Sequence, residues 1–230
     1  MNEQHCEHDK FLFYSKSANA KPGKGSNESL VNPKDTSKYS NLENIKDWRK
    51  MLSNFYVSPF VLDSETWNSV EHFFHAIKFR DGKRDGKNYN FYKTFTMESG
   101  SPWSLEPVSA KQAGKAGRIS KTTGKVYTKK FGDTKIPTDV SIRPDFYSDG
   151  IDRKLQTIAF LAKFAQNEEL KNMLLATNDA ELWHYVGRGT PNQLWTNLMK
   201  VRDCIRLYDK LYDLSEVSKF SSDIVSRILD

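Results

Sequence analysis

Apolar positions recur at helical spacing along several stretches of the chain, separated by polar runs with no period. Leu42, Ile45, Trp48 and Leu52 form one stripe, with Ser40 and Glu43 as a capping box at its start. Val70, Phe73, Phe74 and Ile77, spaced i, i+3, i+4, i+7, predict a second helix opening at Asn68. Asn88 to Met97 is aromatic and predicted helical, and Ser109 to Arg118 has the small residues of a short helix packed close to a neighbour. Asp149 to Asn167 is the most regular helical pattern, with Leu155, Ile158, Ala162 and Phe164 inward; a second short helix runs through Leu175. Thr190, Pro191 and Gln193 supply an N-cap, a proline at N1 and a capping-box partner for a long helix through Leu211.

Short apolar runs read as strands. They are "FLFYS" at Phe11–Ser15, "PFVLDSETW" turning at Asp63 and Ser64, and "ELWHYV" before the tight "GRG" loop. The stretch from Lys16 to Ser40 is rich in Lys, Ser, Gly, Pro and Asn, which marks a long loop. Ile119 to Ile142 sets Lys121, Lys125, Lys129, Lys130 and Lys135 among Gly, Thr and Val, as a basic loop or hairpin standing off the core. No internal repeat is present. The pattern predicts an α+β fold, mainly α-helical, with a few short strands. It places a polar tail at 1–10, one domain at 11–212 and an amphipathic tail at 213–230 that packs on the body or on a partner.

Composition narrows the class. The chain has 230 residues, 37% of them apolar, and a mean hydropathy of −0.69, enough for one sizeable core. No apolar run approaches the roughly 20 residues of a membrane span, and "MNEQHCEHDK" lacks the order of a signal peptide. Cys6 and Cys204 do not make a disulfide framework, so a reducing setting is expected, cytoplasmic or, for a viral protein, inside a host cell, with no membrane partner. The net charge of +6 favours phosphates, in nucleic acid or in small ligands.

Candidate chemistry begins with "TWNSVEHFFHAIKF", Thr66 to Phe79. At about 100° per residue, Glu71, His75 and Lys78 fall on one flank of the apolar stripe and His72 on the opposite side. Asn68-x-x-Glu71 is itself a capping box, so spacing leaves Glu71 open between cap and catalyst. His72 and His75 make poor zinc spacing, with no third ligand in view, so neither metal nor cofactor is expected. In "VGRGTPNQ", Gly187 and Gly189 flank Arg188 before the predicted helix start, an arrangement suited to an anion as well as to a plain loop. The aromatics, Trp67, Trp103, Trp183 and Trp195 among them, read as core, with one or two left as candidates to stack on a base.

These stretches together resemble the NADAR (YbiA-like) domain family. The matching segments are "FYS" at Phe13–Ser15, "LSNF" at Leu52–Phe55, "VEHFFHAIKF" at Val70–Phe79, "AKQAGKAGR" at Ala110–Arg118, "LAKFAQNEEL" at Leu161–Leu170 and "NQLWTNLMKVR" at Asn192–Arg202. The loops near 16–40 and 119–142 look like insertions into that pattern. The resemblance implies a YbiA-like fold, a cleft for ribose phosphate or ADP-ribose, and hydrolysis of the bond between ribose C1 and an exocyclic amine. The implied substrates are ADP-ribosylated guanine, in nucleic acid or nucleoside, or the ribosylamino-pyrimidine phosphates of riboflavin synthesis. Glu71 and Lys78 take the catalytic positions. Asn54 and Arg118 match ligand contacts, and Ser53, Phe55, Trp67, His75, Phe146, Gly187, Arg188 and Gly189 complete the candidate substrate-binding set. His75 stands where many members have glutamine, Phe146 where they have tryptophan, and Val186 and Arg188 replace a tryptophan and an acid. A module that binds ADP-ribose or NAD without turnover is the alternative.

Overall fold

The computed structural model describes residues 8–208, so Cys6, the predicted C-terminal tail and the last residues expected of the final helix lie outside the described residues. The fold is mainly helical with short strands, as the pattern predicts. In chain order come β1 (Lys10–Phe13), α1 (Ser40–Glu43), α2 (Trp48–Met51), β2 (Phe60–Leu62) and β3 (Glu65–Trp67). Then follow α3 (Val70–Ala76), α4 (Gly86–Lys93), α5 (Pro102–Leu105), α6 (Pro107–Ala113), β4 (Lys130–Phe131) and β5 (Thr134–Lys135). The chain continues through α7 (Ile151–Ala165), α8 (Glu168–Ala176), β6 (Glu181–His184), β7 (Gln193–Leu194) and α9 (Thr196–Tyr208). Contacts group them into two compact units: the described residues up to Tyr56 and from Phe164 onward, and Val57–Lys163.

In the first unit β6 is central, parallel to β1 and antiparallel to β7. Phe11 and Phe13 are fully buried, and the Phe11 ring meets Tyr39 and Trp48 edge-on at 4.8 and 5.0 Å. The single helix expected around Leu42–Leu52 is instead two one-turn helices. Asp47 between them sits in the left-handed region at φ 58°, where an aspartate is tolerated. Ser40 is not a cap, since α1 is preceded by Tyr39 with no side-chain bond. Leu42, Trp48 and Leu52 are nonetheless buried. The 16–40 loop is tied down by a buried ion pair. Arg49 donates to Glu28 Oε1 and Oε2 at 2.6 Å each, and Glu28 also accepts from the Leu12 and Gly25 amides.

The expected capped helix start at Thr190–Gln193 is absent. Gln193 and Leu194 pair with His184 and Trp183, and the helix begins at Thr196. Strand pairing takes the segment that the capping signals would have claimed.

In the second unit β2 and β3 form a hairpin whose turn residues, Asp63 and Ser64, both have positive φ (56° and 64°), the twist such hairpins favour. Helix α3 starts after an extended Ser69, not at Asn68, and packs against α6. The Asn68 amide instead donates to the carbonyls of Ser104 and Leu105. Buried positions occupy every side of α3, and His72, on the side opposite to Glu71, is fully buried as well. The basic segment folds as the β4–β5 hairpin with an isolated bridge between Ile119 and Val126, and its lysines are exposed.

Candidate active site

Three ionisable side chains leave α3 and the turn after it on one line, because i, i+4 and i, i+3 neighbours stack on a helix. His75 Nε2 lies 2.9 Å from Glu71 Oε1, and Lys78 Nζ lies 2.8 Å from His75 Nδ1. All three are buried, at 5%, 7% and 2% exposure. Glu71 therefore bonds a side chain rather than capping a helix, and the capping reading of this residue falls.

Aromatic rings enclose the lysine. Its Nζ sits 5.0 Å from the Phe74 ring centre and 5.7 Å from that of Phe146, and the two rings meet edge-on at 5.4 Å. Phe146 is fully buried and Phe74 half-buried. Tyr147, edge-on to Phe146, is exposed and accepts a hydrogen bond from Arg118, whose guanidinium lies 5.6 Å from the Tyr147 ring centre. Arg118 is itself exposed. Just past the end of α6, the backbone of Gly114 closes on the His75 ring: a Cβ there would stand 2.6 Å from the ring's Cγ.

Burial dominates the electrostatics of Lys78. Together with the Arg118 and Lys111 charges, and against the pull of Glu71 and Asp152, it pushes the lysine down to about 7. Burial also lowers His75 and outweighs the hydrogen bond to Glu71, so the imidazole is neutral. For Glu71 burial acts upward, but the His75 hydrogen bond and the nearby positive charges outweigh it and hold the carboxyl below its ordinary value. Aromatic surroundings alone would lift a glutamate toward neutrality, but the site does not hold Glu71 in that form. It holds a carboxylate, a neutral imidazole and an amine that sheds its proton near neutral pH. Such a set supplies a base and a nucleophile together.

The other expected contacts divide. Ser53, Asn54 and Phe55 belong to the first unit, as do Gly187, Arg188 and Gly189. Ser53 is buried, its Oγ accepting from the Phe55 amide, while Asn54 and Phe55 are half-buried. Gly187 and Gly189 have φ of 142° and 78° in an exposed turn with Arg188, but β7 rather than a helix follows, so no helix dipole backs an anion there. Trp67 is fully buried, donating Nε1–H to the Leu62 carbonyl and packed on Phe73 and Tyr92; a ligand has none of its surface. Phe74, Gly114 and Tyr147 were not singled out from the sequence. A glycine inside "KQAGKAG" was the available signal for the second.

Among the described residues no three of His, Cys, Asp and Glu come together to hold a metal ion, and no helix is long and apolar enough to cross a membrane. No family model matches the chain, and no curated protein matches it. Among solved structures it is similar to the NMR structure of the Escherichia coli protein YbiA, with 21% sequence identity over 91% of this chain and 93% of that one and a TM-score of 0.48.

Proposed function

We propose that the chain is an N-glycosidase that cleaves the bond between ribose C1 and an exocyclic amine of a base, with ADP-ribosylated guanine as the preferred substrate class. The observation that carries this reading is the buried line Glu71–His75–Lys78 with a lysine pushed down to about 7 beside two phenyl rings. An N-ribosyl amine opens to an imine when the nitrogen pair displaces the ring oxygen, the oxygen takes a proton and the N–H gives one up. Glu71 serves those transfers as base and then acid. The Lys78 amine then adds at C1 and the base departs with its own amine nitrogen. Water adds to the lysine imine, frees the sugar aldehyde and restores the lysine. The motif resemblance described above points to the same bond.

The charge distribution favours substrates in nucleic acid. Between Lys111 and Lys135 the sequence holds eight lysines and arginines against one aspartate, more positive charge than the whole chain's net +6. Ribosylamino-pyrimidine phosphates are the second substrate class. The test is incubation with ADP-ribosyl-guanosine and with a ribosylamino-pyrimidine phosphate, with and without EDTA, following base release. Release of guanosine and ADP-ribose, unaffected by EDTA and lost in Lys78→Ala, is the expected result. Tight ADP-ribose binding with no release from either substrate would replace this reading by that of a binding module.

A further inference from the structure

We propose that His75 is a proton-relay residue that positions and serves Lys78, carrying the proton that the lysine nitrogen must lose toward Glu71. The inference rests on Lys78 being the amine that bonds to the sugar carbon, and it adds a role for a residue expected only to touch substrate.

With the imidazole neutral, as burial favours, the two contacts set the hydrogen-bond directions. A carboxylate can only accept, so Nε2 carries the hydrogen and donates to Glu71 Oε1 at 2.9 Å. Nδ1 is then a bare lone pair and accepts from Lys78 Nζ at 2.8 Å. The ring thus joins nucleophile to base through its two opposite nitrogens. Gly114 holds it there, since only a residue without a side chain lets the backbone past the end of α6 approach so closely. The groups facing the line are Glu71, His72 and Lys78 from its own segment, Lys111 from α6, Arg118 beyond α6 and Asp152 from α7. Among them only Glu71 is placed to take a proton from the ring.

The step balances without water. With the aldehyde of the trapping reaction, standing in for the imine carbon of the opened substrate, Lys78 Nζ bonds to the carbon and the π pair moves onto oxygen. The proton released by nitrogen passes to Nδ1, and the Nε2 proton passes to Glu71. Glu71 delivers a proton to the alkoxide, so amine and aldehyde become a carbinolamine and the ring is left as its other tautomer. With this line nine-tenths or more buried, an internal path replaces exchange with bulk solvent.

Reductive trapping with glycolaldehyde and excess cyanoborohydride tests the relay without any glycosidic substrate. Mass spectrometry reads alkylation of Lys78 against pH in H2O and D2O. His75→Gln is the informative variant. Its amide accepts from the lysine and donates to the carboxylate, but cannot hand a proton on. Wild type should be trapped at least tenfold faster than His75→Gln through neutral pH, with a curved dependence on deuterium fraction that becomes linear in the variant. Nitrogen-15 histidine spectra of the wild type should show a neutral Nε2–H ring for His75 at pH 7–8. An imidazolium there, equal trapping in wild type and variant, or no trapping of Lys78 in the wild type overturns the relay. Normal relay behaviour without cleavage of ADP-ribosyl-guanosine would instead overturn the substrate assignment alone.

Discussion

Gly114 and His75 lie so close that a methyl group on the glycine would stand 2.6 Å from the imidazole Cγ. The contact is between backbone and ring, so neither partner can swing away at low cost. Gly114→Ala should therefore displace the ring, lengthen its bond to Lys78 and lower turnover by tenfold or more. Its effect on the unfolding midpoint should be modest beside that loss. Wild-type turnover in Gly114→Ala would show that the ring's position does not matter.

Glu71→Gln removes the charge and keeps the shape. The amide oxygen of the introduced glutamine can still accept from Nε2–H of His75, so the helix should survive, while a group worth ~10²–10⁴-fold as acid and base is lost. A drop of at least a hundredfold in kcat with little change in KM is expected from steady-state kinetics. Unchanged kcat would remove Glu71 from the chemistry.

Lys78 makes stability depend on pH. Burial pushes both Lys78 and Lys163 down to about 7, against 10.5 for an ordinary lysine. Below pH 7 each is charged in both states and the burial penalty is present in full. Between about pH 7 and 10 the unfolded chain binds more protons, so stability rises with pH, by at most about 1.4 kcal/mol per unit per lysine. Above pH 10 Tyr39 and Tyr92, whose ionisation burial pushes up, act in the opposite direction. Chemical denaturation from pH 6 to 10 should show this rise, and Lys78→Met should flatten it. An identical slope in Lys78→Met would mean the lysine is not buried as a charge.

Glu28 and Arg49 form a buried pair in the first unit, with side chains 0% and 3% exposed. Removing one partner strands the other charge, which costs about 3–5 kcal/mol. Glu28→Ala should lose that much stability and expose the 16–40 loop to proteolysis. Loss of less than about 1 kcal/mol with an intact loop would show that the pair does not hold it.

The exposed lysines 121, 125, 129, 130 and 135 are expected to meet a phosphate backbone. Each such contact adds roughly −0.7 to −0.9 to the slope of log affinity against log salt. Replacing all five by serine should flatten the slope for an ADP-ribosylated oligonucleotide and spare cleavage of the free nucleoside. Equal processing of the oligonucleotide at every salt concentration would leave the hairpin a solvated insertion.

Local geometry made much of this legible in the sequence. The Asp63–Ser64 turn and the α7 helix follow from residue preference and a 3.6-residue period. The alignment of Glu71, His75 and Lys78 follows from helical spacing alone. What distant residues contribute was hidden. The Asn68 amide was drawn to carbonyls of Ser104 and Leu105, so its capping signal came to nothing. Gln193 had good capping neighbours, yet pairing with His184 across the intervening turn made it a strand, because the sheet bonds to β6 outweigh the capping preference. Ionisation was decided the same way. Aromatic neighbours alone would have raised Glu71, whereas the structure also brings Lys111 from α6 and locks the His75 bond. Charges and hydrogen bonds act through space, and only the tertiary fold sets those distances.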